Sequence, residues 1–192
     1  MAAVMFFASG TEAGLFLWLP TYATGELSAV IAGFTLTLFV AAYVPGRFLV
    51  DKLTERVDEL PLLAGVFLLL VPTTAWTFTA AAGLWALAGI VGIGLLASVA
   101  FPLLTSYATD AAPVFSGPVT AIAAVSASAG GGIVPALMGV AISGSGAAAG
   151  MQLLVVPLSA SLLLVVWAGV TERERSKYGT PARSGGQYQP AD

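Results

Sequence analysis

The chain contains no cysteine and no histidine, and only 9% of its 192 residues are charged. Without cysteine there are no disulfides and no thiol chemistry, and without either residue the usual zinc and haem ligands are missing. The absence of histidine also removes the side chain that most often carries protons near neutral pH. An ordinary soluble domain is about one quarter charged. Here 58% of residues are hydrophobic and the mean hydropathy is +0.93, which is the composition of an integral membrane protein. No basic patch interleaves with aromatics, so nothing points to nucleic acid. There is no nucleophile–base pair, nucleotide-binding loop or metal set either, so the chain is expected not to be an enzyme and to use no cofactor. Gly89, Gly92 and Gly94 run in the reverse order of a dinucleotide fingerprint, with no βαβ unit around them, and read as helix packing.

What is present is a series of long apolar runs. Crossing about 30 Å of hydrocarbon takes about 20 mostly apolar residues. Six stretches qualify: Ala2–Ala23, Ser28–Val50, Leu60–Phe78, Ala82–Tyr107, Pro118–Ile142 and Ala147–Val170. The links between them are short, and Pro61 and Pro118 suit first-turn positions, where a missing N–H does no harm. Nothing shows the alternation of a transmembrane barrel strand. The expected fold is therefore an all-α, six-span membrane domain over residues 1–170. Residues 171–192 are polar and aperiodic and read as a disordered tail. The first span has no basic region ahead of it and no A-x-A-like cleavage site, so it is not read as a cleaved signal peptide.

The seven Lys and Arg check the span count. Arg47, Lys52 and Arg56 lie at the end of the second span and in the loop after it; Arg173, Arg175, Lys177 and Arg183 follow the sixth. Six spans place both groups on one side of the membrane, and the positive-inside rule makes that side, with both termini, cytoplasmic. Five or seven spans would split them. The implied location is the plasma membrane.

One charge does not fit this scheme. In "ASGTEAGLFLWLPTYATGE", Glu12 lies about 15 Å into the first helix, near the bilayer midplane. A charged carboxyl there costs at least ~2.5 kcal/mol on insertion scales and normally faces a bundle interior or a wet cavity. At about 100° per residue, Thr11, Trp18 and Tyr22 share an arc of about 40° that begins about 80° from Glu12. An acid, a hydroxyl and two aromatics suit a sugar-like or other small polar solute. The alternative is a carboxyl hydrogen-bonded to a neighbouring helix as a packing device. Every other acid maps to a loop, a span end or the tail, so any proton coupling in this domain falls to Glu12.

Longer patterns resemble a known family. "GTEAGLFLWLPTYA" looks like the seventh span of sugar-porter-type members of the major facilitator superfamily, those grouped with fucose permease. "YVPGRFLVDKLTERV" is similar to the superfamily's cytoplasmic loop, although Arg47 stands in place of one Gly and Thr54-Glu55 in place of a Gly-Arg pair. "GIGLLASVAFPLLTSYATDAAP" and "SASAGGGIVPALMGVAISGSG" resemble the tenth and eleventh spans. In the last of these, Gly130, Gly131 and Gly132 read as positions of close helix approach. The resemblance implies the C-terminal six-helix half of a transporter that moves a small solute by alternating access. It also implies a partner, either a separate N-terminal half or a second copy, and a cytoplasmic gating loop at Arg47, Asp51, Lys52 and Arg56. A non-transporting remnant or a helix-binding scaffold is the competing expectation.

Overall fold

The computed structural model describes residues 1–54, 57–110 and 116–178, and all regular structure among them is helical. Seven helices follow in order: α1 (Ala2–Glu26), α2 (Ala29–Thr54), α3 (Glu59–Thr79), α4 (Leu84–Asp110), α5 (Ser116–Ser145), α6 (Ala147–Gln152) and α7 (Val155–Tyr178). Six segments are long and apolar enough to cross a membrane, the sixth made of α6 and α7 together. Helices satisfy every backbone polar group within the segment, which hydrocarbon demands. Pro61 and Pro118 both fall in the first turns of their helices, α3 and α5, as expected.

The helices outrun the apolar stretches. α2 continues to Thr54, past the expected end at Val50, and α7 continues to Tyr178, past Val170. Residues 171–178, expected as the start of a disordered tail, are helical; a helix leaving hydrocarbon needs no apolar side chains to continue. Residues 179–192 lie outside the described residues. The sixth span is also interrupted. Pro157 lacks an N–H for the carbonyl four residues back, and that carbonyl, Leu153 O, accepts instead from the Val156 N–H at 3.1 Å. The chain turns there, and α7 starts with Pro157 in its first turn. Gln152, at the break, reaches across to α3, where its Nε2 donates to Phe78 O at 2.9 Å, one of the carbonyls that the end of α3 leaves open.

Turns are closed by glycine where the backbone requires it. Gly146 ends α5 at φ 91° and Gly83 precedes α4 at φ 56°, both in the left-handed region that side-chain-bearing residues avoid.

Small residues set the helix spacing. On the α1–α5 seam, Gly10 and Gly14 face Val134 and Met138, and a Cβ on Gly130 would fall on the backbone carbonyl of Phe6. Gly131 has only Ala13 at ordinary contact distance, and Gly132 has nothing within 4 Å. Of the glycine run, then, one residue is a close-approach point and two are not. The α2–α4 crossing is reciprocal: Gly46 lies against Leu95 and Ser98, while a Cβ on Gly94 would sit 2.6 Å from Phe39 O. Gly89 packs on Thr77 in the same way, and Gly92 less closely on Thr73. Without a hydrophobic driving force in lipid, such backbone approach is the main source of helix association. The side chains of Phe39, Phe67, Met5, Leu15, Leu19 and Met138 fill the space between the helices and are almost completely inaccessible.

Candidate functional site

Glu12 lies midway along α1, half-buried, on the side that faces α2. The Tyr43 hydroxyl donates to Glu12 Oε1 at 3.1 Å. Tyr43 is held in turn by an aromatic cluster. Its ring centroid is 5.3 Å from that of Phe39, one turn earlier on α2, and 5.8 Å from that of Phe16, one turn beyond Glu12 on α1. Phe16 and Phe39 close the triangle edge-on at 5.4 Å. Residues 12 and 16 of α1 therefore meet residues 39 and 43 of α2 at helical i, i+4 spacing, and Arg47 continues the α2 stripe by one more turn. The charge of Arg47 acts on both Glu12 and Tyr43. Among the described residues, no group hydrogen-bonds the second carboxyl oxygen of Glu12, and that oxygen is not sealed from solvent. The geometry of a packing contact is thus present at one oxygen, while the other has no hydrogen-bond partner among the described residues.

The three residues expected to join Glu12 are used elsewhere. Thr11 is buried and its Oγ1 donates to Phe7 O of its own helix at 2.9 Å. It still borders, with Glu12, Ala97, Ala100 and Phe101, a hollow of about 10 Å³, enough for about one water. Trp18 points into the α1–α5 seam, where its Nε1 donates to Pro135 O at 2.9 Å. The indole fits because Gly139 has no side chain; a Cβ there would be 2.9 Å from the ring. Tyr22 is buried edge-on against Phe78 of α3, centroids 4.9 Å apart. Trp18 and Tyr22 are thus taken up by α5 and α3 and Thr11 by its own helix, while the Glu12 carboxyl meets Tyr43 of α2. No shared aromatic surface forms around the acid.

The expected gating group is also rearranged. Arg47 is not in a loop but within α2, seven residues before its end at Thr54. It lines a groove of about 620 Å³ between α2 and α4, with Val50, Phe101, Thr105, Ser106 and Thr109. Lys52 is exposed in the last turn of α2, and the Asp51 side chain and Arg56 lie outside the described residues. Phe101 borders both the groove and the hollow beside Glu12. Tyr43 and this placement of Arg47 were not singled out in the sequence. The available signal was the i, i+4 spacing of Phe39, Tyr43 and Arg47, which puts two polar-tipped residues on one face of an apolar helix.

A second hollow, about 680 Å³, opens at the end of the bundle where α2 ends and α3 begins, and is bordered by Asp58, Glu59, Tyr107 and Glu172. Two hydrogen bonds tie its walls: Ser106 Oγ donates to Glu59 and the Tyr107 hydroxyl donates to Glu172. They join α4 to α3 and to α7, and serve to hold that end together. No group of histidine, cysteine and carboxylate side chains suited to a metal exists among the described residues.

A sequence profile of the Major Facilitator Superfamily matches residues 1–188. The fold is similar to a solved Major Facilitator Superfamily transporter, FucP, in the outward conformation, with a TM-score of 0.78 over 86% of this chain at 19% identity. The aligned region is 41% of that transporter, so the chain spans about two fifths of its length. No curated protein matches.

Proposed function

Because the chain belongs to the Major Facilitator Superfamily, we propose that it works as one half of a secondary transporter, carrying a small polar solute across the membrane by alternating access. Glu12 is the proton-coupling acid of this half, with Tyr43 as the donor that positions it. The observation that carries the reading is the state of that carboxyl. It lies mid-span, one oxygen is held by Tyr43, the other is open, and a water-sized hollow adjoins it. Intramembrane acids of this kind are typical of proton relays and solute pathways. Thr11 contributes at the edge of the hollow. Trp18 and Tyr22, engaged by Pro135 and Phe78, act by holding α1 in place. The solute class is sugar-like or another small organic molecule. A second six-helix bundle, from another chain or another copy, supplies the facing wall. The location is the plasma membrane, and the distribution of Lys and Arg supports an orientation with the terminus-bearing end in the cytoplasm.

Uptake into proteoliposomes tests this. Purified chain, alone and together with a candidate six-span partner, is challenged with a panel of radiolabelled sugars and sugar acids under an inward proton gradient. Saturable uptake above protein-free liposomes is expected in at least one configuration. Background uptake in all of them, with protein that is folded and inserted, favours a non-transporting remnant or scaffold.

A further inference from the structure

The α2–α4 groove carries a charge that the proton-coupling scheme does not use. Arg47 is exposed within it, and among the described residues it makes no hydrogen bond or ion pair. Its electrostatic partner Glu12 is engaged by Tyr43. Three residues from the end of the apolar stretch at Val50, the Arg47 guanidinium reaches the wet interface at that end of the span. The groove is large enough for a small solute, at about 620 Å³. Among the described residues no carboxylate lines it; Glu59 accepts from the hydroxyl of Ser106, one of its lining residues. Its other lining groups are the Phe101 ring and the hydroxyl oxygens of Thr105 and Thr109, which donate to their own helix at Phe101 O and Thr105 O and keep lone pairs for a ligand. One fixed cation, an aromatic face and several hydroxyls make a surface for a hydroxylated molecule bearing a carboxylate or phosphate, which arginine grips with two parallel N–H donors.

We propose that the α2–α4 groove is an anion site in which Arg47 holds the carboxylate or phosphate of the solute. This rests on the transport reading above and sharpens it, since it gives the solute a negative charge. The same chemistry fits a phospholipid headgroup, so the test separates the two sources.

The absence of cysteine makes the test clean, because a single introduced thiol is the only one in the chain. Thr105→Cys places it in the groove, with Thr109→Cys as a second reporter should the first fail to fold. The chain in phosphatidylcholine nanodiscs is labelled with a negatively charged and a positively charged methanethiosulfonate reagent. The ratio of the two rates is expected to fall by about tenfold or more when Arg47→Gln is added, and to be largely kept by Arg47→Lys. Glucose 6-phosphate is expected to slow labelling, and glucose is not. If adding phosphatidylglycerol protects the thiol only when Arg47 is present and the sugar phosphate does not, the anion site stands and its occupant is lipid. A rate ratio unaffected by Arg47→Gln, no labelling by either reagent, or equal protection by the neutral sugar overturns the proposal. Labelling does not require turnover, so a failed anion site and a failed transport reading give different results.

Discussion

Replacing Glu12 by Gln is expected to abolish the pH dependence of uptake while leaving the six-span bundle inserted and folded. Gln keeps the length of Glu and still accepts a hydrogen bond from Tyr43, so the α1–α2 contact survives. It cannot bind or release a proton. With one proton moved per solute, a one-unit pH gradient sustains about tenfold accumulation. The variant should therefore fall from roughly that value to simple equilibration. Tyr43→Phe separates positioning from carriage: the carboxyl remains but loses its donor, and pH dependence should persist with a displaced midpoint. Uptake that depends on pH equally in wild type and Glu12→Gln would move the coupling acid out of this half.

The second large effect is structural and distinguishes neighbouring glycines. Gly130→Val is expected to disrupt the bundle, whereas Gly132→Val is not. A Cβ at 130 meets the Phe6 carbonyl and its adjoining backbone, which no change of rotamer can move aside. Overpacking in a tight core commonly costs about 1–3 kcal/mol. Here the obstacle is main chain on the most extensive helix seam in the molecule, so the loss should exceed about 3 kcal/mol. At 132 nothing lies within 4 Å. Thermal unfolding in detergent, read by tryptophan fluorescence, should show a large drop in Tm for Gly130→Val and a change within about 0.5 kcal/mol for Gly132→Val. Equal effects at the two positions would mean that α1 and α5 do not meet as described.

The six spans were legible because hydrocarbon imposes length and apolarity together, a signal few other structures produce. Which face of each helix turns inward was not legible. In lipid the outward face is as apolar as the inward one, so hydrophobic periodicity loses its meaning and small residues carry the information instead. That is why the angular reading assigned Thr11, Trp18 and Tyr22 to a solute surface, whereas Trp18 packs on α5 and Tyr22 on α3. The seat that takes the Trp18 indole is made by Pro135 and Gly139 on a helix more than a hundred residues away in sequence. Arg47 stood inside the second apolar stretch, and only the family resemblance grouped it with the loop residues Asp51, Lys52 and Arg56; α2 runs on for seven residues beyond it. The break in the sixth span was written locally, in Pro157, and could have been read from it. Tyr43 was the harder residue to find. A lone tyrosine in an apolar span has many uses, and only the register of α2 against α1 shows that its hydroxyl meets the one mid-span acid.

The most direct test of the account is whether solute moves protons through Glu12. Proteoliposomes containing the chain and its six-span partner, with a pH-sensitive dye trapped inside, are given a transported solute in the absence of any imposed pH gradient. Internal acidification that follows solute addition in wild type and is absent in Glu12→Gln is the expected result. Solute entry with no change in internal pH, or the same acidification in both proteins, would contradict it.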